Sequence, residues 1–286
     1  MTITLHAKDH GFHVTPLSVF QFPGGEQHIK GDLTGTETEH WAVIKGTDAN
    51  EYIAARMWAD SIRGQYLPGE VPSITVIVPY LPAARADRGT PFGAGIYADL
   101  INQIGADRVI CFDPHSPVMP GLINNITSID STRIVRQWIV GRADRDNQAQ
   151  RYTGIIAPDK GAHDRAKKVA DACHLPLYQA LKHRDEPTGQ LSGFTCEDLP
   201  ADGKYLIVDD ICDGGGTFKG LAKALNLSSS QLGLFVSHGI FSGAAASLTD
   251  YFGEIWTTDS LEQTNTDPTF TDALAIIPIS HTLINN

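Results

Sequence analysis

Two carboxylates, Asp209 and Asp210, stand directly after the apolar run Tyr205 to Val208. A third, Asp213, precedes three glycines, Gly214, Gly215 and Gly216, and Thr217 then opens a helix-like stretch, Phe218 to Leu225. An apolar run closed by charge predicts a buried parallel strand, a loop and a helix N-terminus. Ligands of open α/β sheets bind beyond the carboxyl ends of the strands. Glycines let backbone N–H groups approach a phosphate, and a helix start adds partial positive charge. Carboxylates just ahead of such a loop repel phosphate and suit hydroxyl groups or a magnesium shell. The combination asks for a ligand with both sugar hydroxyls and a phosphate. Three glycines alone would read as an ordinary turn; the carboxylate pair at a strand end makes a binding loop the better reading.

Other groups capable of chemistry recur at strand ends. Asp113 and His115 follow the run Arg108 to Phe112, and Asp159 follows Thr153 to Ala157. Lys182 and Arg184 follow the strand-like Leu177 to Ala180 and are two residues apart, so an extended chain points both to one face. The segment Asp185 to Gly193 contains Pro187 and Gly189 and suits a mobile loop. Lys167 and Lys168 read as the outer face of a helix, and His238 as a structural residue.

These groups need positioning, and the chain alternates strands with helices. Helical spacing runs over Asp48 to Arg63, Phe92 to Ile104, Thr132 to Val140, Asp164 to Cys173, Thr217 to Leu225 and Ala244 to Phe252. Strand-like runs cover Ile74 to Pro79, Arg108 to Phe112, Thr153 to Ala157, Lys204 to Val208, Leu232 to Ser237 and Glu254 to Thr257. The alternation predicts an α/β protein with parallel sheets and crossover helices. The polar run Arg142 to Asn147 suits a linker between two similar halves, 1–141 and 142–286. Glu262 to Thr271 reads as a polar loop.

The 286 residues are 42% hydrophobic and 19% charged, enough for two domains with real cores. A net charge of −11 argues against a general binder of nucleic acid or anionic membranes. The four cysteines form no C-x-x-C pair, which fits reduced thiols in a cytoplasmic protein. Neither a signal-like N-terminus nor an apolar run of about 18 residues is present.

The loop Asp209 to Thr217 resembles the ribose-5-phosphate signature of the phosphoribosyltransferase fold. Phe22 to Glu26, Val78 to Arg88 and Gly105 to His115 occur in an order similar to that of ribose-phosphate diphosphokinases, the PRPP synthetases. The resemblance runs from about Phe22 to Thr258. It implies two phosphoribosyltransferase-like domains, each a mainly parallel sheet flanked by helices. It also implies transfer of the β,γ-diphosphoryl group of ATP to the anomeric hydroxyl of ribose 5-phosphate, with Mg2+ as cofactor, in a homo-oligomer, dimer or hexamer. On that pattern Asp209 and Asp210 hold the ribose hydroxyls. Asp213, Gly214, Gly215, Gly216 and Thr217 cradle the 5-phosphate. Phe22 stacks on adenine within the turn Gly24–Gly25, Glu26 bonds the adenine amino group, and Arg85 and Ala86 lie at the ATP phosphates. His115 and Asp159 bind metal with Asp113 nearby, and Lys182 and Arg184 stabilise the transferring group.

The chain departs from the pattern at four places. Gly214 replaces a common Thr, Ala86 a typical Gln, Pro114 an apolar residue, and Gly24–Gly25 a more usual polar-Gly pair. Loss of side chains at Gly214 and Ala86 admits a variant in which the acceptor is a ribose with a larger 5-substituent, such as ADP-ribose. Loss of catalytic groups would instead mark a non-catalytic regulator, but Lys182, Arg184, His115, Asp159 and Asp209 are all present. A phosphoribosyltransferase fits the ribose loop alone.

Overall fold

A computed structural model describes residues 3–8, 12–15, 17–33, 35–67, 69–141, 151–184, 191–261 and 267–284. The chain forms two compact units, Met1–Ile129 with Ser280–Asn286, and Asp130–Ile279. The helical stretch Thr132 to Val140 therefore belongs to the second unit. The linker expected over Arg142 to Asn147 lies outside the described residues.

The first unit contains β1 (Ile3–Lys8), β2 (Phe12–Val14), β3 (Ser18–Gln21), β4 (Gln27–Lys30), β5 (Glu39–Ile44), β6 (Ser73–Ile77), β7 (Arg108–Phe112) and β8 (Ile126–Ile129). Its six-stranded sheet has the order β2-β1-β5-β6-β7-β8. Strands β5 to β8 are parallel, with β1 and β2 added antiparallel at one edge. Strands β3 and β4 form a separate hairpin. Helix α1 (Ala49–Gln65) starts where the Asp48 carboxylate accepts from the Asn50 amide at 2.9 Å. Its Tyr52, Ala55, Trp58, Ala59 and Ile62 recur at helical spacing and fill the core. Helix α2 (Gly93–Ile104) buries Ala94, Ala98, Ile101 and Ile104 in the same core.

The second unit contains α3 (Thr132–Ile134), which runs on as a π-helical turn over Val135–Val140, then β9 (Gly154–Ala157), α4 (His163–Cys173), β10 (Leu177–Arg184), β11 (Leu191–Cys196), β12 (Tyr205–Cys212), α5 (Gly216–Leu225), β13 (Leu232–Gly239), β14 (Glu254–Thr258), α6 (Pro268–Ala273) and β15 (Leu274–Ile277). The sheet order is β11-β10-β9-β12-β13-β14-β15. All neighbours are parallel except β10 and β11. From β9 the chain adds β10 on one side and β12 on the other, so the order reverses there. Such a reversal opens a crevice at the carboxyl ends of the two strands. Both units are thus mainly parallel α/β, as the alternation predicts.

Several boundaries differ from expectation. Strand β12 extends through Asp209 and Asp210 to Cys212, because pairing with β13 continues to Cys212↔Gly239. Strand β10 extends to Arg184, so Lys182 lies on a strand and not in a loop. Its antiparallel partner β11 supplies a ladder that the polar sequence did not announce. The polar stretch Glu262 to Thr271 contains the start of α6, capped by the Asp267 carboxylate on the Thr269 amide at 2.9 Å. Ala244 to Phe252 forms a 3-10 segment, Gly243–Asp250, in place of an α-helix. Strand β15 stays in the second unit, and Ser280–Ile284 forms α7 in the first. No helix among the described residues is long and apolar enough to cross a membrane.

One polar cluster ties β14 to the residues before β9. Arg151 Nε donates to Glu254 Oε1 at 3.0 Å, the Tyr152 hydroxyl also donates to Glu254, and Lys204 Nζ lies 3.3 Å from Glu254 Oε2. Burial alone would raise the Glu254 carboxyl, but the hydrogen bonds from Arg151 and Tyr152 and the nearby positive charges outweigh it and hold it below its ordinary value. A folded value below the unfolded one stabilises at pH above the unfolded value, and the contribution is lost as pH falls through the folded one. Glu254→Gln should therefore cost about 1–3 kcal/mol at neutral pH. Thermal melts of the two proteins should converge on acidification.

Candidate active site

Three neighbouring strands, β10, β9 and β12, run parallel toward the same edge, where Lys182, Asp159 and Asp209 stand at or after their carboxyl ends. Tyr205 to Val208 are buried, and β12 then alternates, with Asp210 4% exposed and Asp209 partly so. The Asp210 amide donates to Asp209 Oδ1 at 2.9 Å. Arg165 on α4 faces both carboxylates, 3.7 Å from Asp209 Oδ1 and 3.7 Å from Asp210 Oδ2. Burial, and then the adjacent Asp210 charge, push Asp209 well above the ordinary carboxylate range, and Arg165 only partly opposes this. A carboxylate held in this state gains from a hydroxyl donor that shares its charge.

Sequence reasoning passed over Arg165. Its signal was periodicity: Arg165 lies four and eight residues before Val169 and Cys173, both on the buried stripe of α4. An Arg at the head of an apolar stripe needs a buried acidic partner. Lys167, by contrast, pairs with Asp171 on the outer face, as expected.

The loop after β12 is shaped by its glycines and by two polar contacts. Gly215 has φ +74°, and a Cβ there would lie 3.0 Å from Leu248 Cγ, so backbone conformation and space both demand glycine. A Cβ at Gly214 would meet nothing nearer than the Ser242 carbonyl at 3.9 Å, and at Gly216 nothing within 4 Å. The Ser242 hydroxyl donates to Asp213. Lys219 Nζ, on the first turns of α5, donates to the Ala244 carbonyl at 3.0 Å and bonds Ser247 at 3.1 Å. Lys182 Nζ donates to Thr217 Oγ1 at 2.8 Å, so an ammonium already sits at the N-terminus of α5. Cys212 is buried, and its thiol is pushed up to about 12 by burial and by the charges of Asp209 and Asp213. It stays a neutral thiol at physiological pH. The pairing register shifts between His183 and Arg184, so alternation from Lys182 does not carry to Arg184, whose side chain lies outside the described residues.

Asp159 Oδ1 accepts from the amides of Gly161 at 2.9 Å and Ala162 at 3.2 Å, leaving Oδ2 without a hydrogen bond among the described residues. His238 is buried against Ser260 Oγ at 2.8 Å, a structural role.

In the first unit, Asp113 leaves β7 with φ 40° and is 4% exposed, while His115 is exposed. Asp87, which sequence reasoning quoted within a motif but gave no role, belongs with them. The Ser116 side chain hydrogen-bonds its carboxylate, and this bond first, with Arg88 and His115 adding charge, holds it below the ordinary range. Arg85 and Ala86 lie in the turn closed by the Ala86 amide on the Ala83 carbonyl at 2.8 Å. Both are exposed. Phe22 and Glu26 flank the hairpin turn: the Phe22 amide donates to the Glu26 carbonyl, and the Gly25 amide to the Phe22 carbonyl, both at 2.8 Å. A Cβ at Gly24 would lie 2.6 Å from Glu26 Oε2, so the glycine leaves room for that carboxylate. Among the described residues no group of three His, Cys, Asp or Glu side chains is arranged to hold a metal ion.

No protein-family model matches the chain. It is 32% identical over 186 residues to a ribose-phosphate pyrophosphokinase of Bradyrhizobium diazoefficiens, a match covering 60% of this chain and 55% of that protein. It is 30% identical over 206 residues to the Rhizobium meliloti ribose-phosphate pyrophosphokinase, covering 67% and 62%. The fold agrees with the crystal structure of phosphoribosylpyrophosphate synthetase from Mycobacterium smegmatis, with a TM-score of 0.75 and 21% identity over 96% of this chain and 89% of that one. The chain is similar in sequence to ribose-phosphate pyrophosphokinases and shares the fold of the Mycobacterium smegmatis protein. Its matches cover 55% and 62% of these two relatives' own length, less than two thirds. A phosphoribosyltransferase-type fold accounts for the reversed strand order and the loop at its edge.

Asp209→Asn tests the carboxylate pair. A folded value above the unfolded one means that ionisation opposes folding, so the penalty grows as pH rises between the two values. The variant should melt no lower than wild type at neutral pH, with any difference vanishing in acid. Gly215→Ala should cost about 1–3 kcal/mol, from the positive φ and the Leu248 contact together, read by denaturant unfolding.

Proposed function

We propose that the protein transfers the β,γ-diphosphoryl group of ATP to the anomeric hydroxyl of ribose 5-phosphate, giving PRPP and AMP. The observation that carries this reading is the set of groups at the strand-order reversal. A carboxylate pair, a glycine loop at a helix N-terminus and the Lys182 ammonium bonded to Thr217 meet there. The 5-phosphate would take the amides of Gly214 to Thr217, and Asp209 and Asp210 the ring hydroxyls. The anomeric oxygen attacks the β-phosphorus in line, the bond from that phosphorus to the α–β bridging oxygen breaks, and AMP leaves. Lys182 and Arg184 stabilise negative charge on the group in transfer.

Magnesium would supply further positive charge to the phosphate oxygens; the groups that would bind it are His115, with Asp113 and Asp87, in the first unit and Asp159 in the second. The free Oδ2 of Asp159 and the exposed His115 ring fit this role. Magnesium takes one or two carboxylates plus substrate oxygens and water, so it does not need a cage of protein ligands. Phe22, Glu26, Arg85 and Ala86 form the ATP side, with the turn Gly24–Gly25 placing Glu26. The four free cysteines fit a cytoplasmic enzyme, and we take the working form to be a homo-oligomer, with neither nucleic acid nor membrane as partner.

One observation keeps a second reading of the same chemistry open to test. The space over Gly214 and Gly216 is open, and no side-chain hydroxyl at 214 closes the loop around a monophosphate. A ribose carrying a larger 5-substituent, such as ADP-ribose, would fit there.

An end-point assay with magnesium and ATP, offering ribose 5-phosphate and ADP-ribose separately, decides between them. AMP and PRPP from ribose 5-phosphate are expected, and AMP from ADP-ribose alone would transfer the conclusion to the second reading. Failure to release AMP with either acceptor would overturn both. Lys182→Ala should lower kcat about 10²–10³-fold with KM for the acceptor little changed.

A further inference from the structure

The hairpin β3–β4 carries more ring surface than a single stacking residue needs. Its register pairs Phe20 with His28 and Ser18 with Lys30, placing Phe20, His28 and Lys30 on one face. Gln27 and Ile29 are buried while His28 and Lys30 are exposed, so this is the outer face. Phe20 stands edge-on to Phe22, with ring centroids 4.9 Å apart at 70°, and edge-on to His28, 5.3 Å away at 86°. Phe22 and His28 are 5.6 Å apart and tilted by only 31°. Lys30 Nζ lies 5.2 Å from the Phe20 ring centroid. Phe22 is nevertheless 46% exposed. The Glu26 carboxylate, between the two rings in sequence, makes no hydrogen bond among the described residues and has its space kept by Gly24.

We infer that His28 is a second base-contacting ring of the nucleotide site, with Phe20 as the positioning residue that braces both His28 and Phe22. This rests on the reading of Phe22 as the adenine platform. Two rings inclined at a small angle offer a flat base more π surface than one phenyl, and edge-on bracing by Phe20 fixes their orientation before the ligand arrives. The adjacent unbonded carboxylate suits the amino hydrogens of adenine.

The test separates the base from the phosphates. His28→Ala, His28→Phe and Phe20→Ala are compared with wild type for KM of ATP, inhibition by AMP, and inhibition by inorganic tripolyphosphate, which has no base. In His28→Ala the KM for ATP and the inhibition constant for AMP should rise about 5- to 10-fold, with tripolyphosphate inhibition, kcat and melting temperature unchanged. His28→Phe should retain AMP affinity, and Phe20→Ala should weaken AMP alone. Equal weakening toward AMP and tripolyphosphate, or none toward either, overturns the assignment. If wild type releases no AMP from ATP, the underlying activity fails separately. Calorimetric binding of AMP to wild type and His28→Ala then still decides the role of His28: unchanged affinity, or no binding to wild type, overturns it.

Discussion

Two adjacent carboxylates at the end of a buried strand repel each other, and their burial removes the water that would screen them. The architecture of the second unit around β12 answers that problem. Arg165 on α4 supplies the facing cation, and the Asp210 amide bonds the Asp209 carboxylate. The pair still remains strained, with Asp209 displaced well above its ordinary value. A carboxylate pair of this kind is stabilised by any donor that hydrogen-bonds it and shares its charge.

The reversal of strand order explains why these groups meet. Helix α4 follows β9 and helix α5 follows β12, so both helix starts lie at one edge of adjacent strands. Strand β10, the neighbour on the other side of β9, carries Lys182 beyond its last parallel pairing at Gln179↔Ala157. Antiparallel β11 extends that strand and gives Lys182 a rigid base from which it reaches Thr217. The ammonium therefore costs less ordering on binding than one on an isolated loop.

The first unit uses the same architecture differently. Its parallel strands follow in sequence from β5 to β8, and the groups we assign to nucleotide and metal lie around them: the hairpin at Phe22, the turn at Arg85 and the end of β7. The ring cluster on the hairpin stays exposed because the opposite face, with Val19 and Ile29, packs into the core. Burying one face of a two-stranded ribbon leaves the other for a ligand.

Sequence alone determined most of the scaffold. The apolar runs at β7, β9, β12 and β13, the helical spacing of α1, α2, α4 and α5, and the Asp209 to Thr217 loop were legible because local periodicity and side-chain chemistry specify them. The family resemblance followed from the order of motifs. The rest depended on partners distant in the chain. The extension of β10 through Lys182 needed β11, the capture of Asp209 and Asp210 by Arg165 needed α4 packed on β12, and the bracing of His28 by Phe20 needed the hairpin register. The open space at Gly214 and the closed space at Gly215 also look alike in sequence; only the placement of Leu248 and Ser242 separates them. Residue types and spacing declare which groups are capable of chemistry, but pairing, burial and clearance are properties of contacts across long sequence separations, and those exist only once the chain is folded.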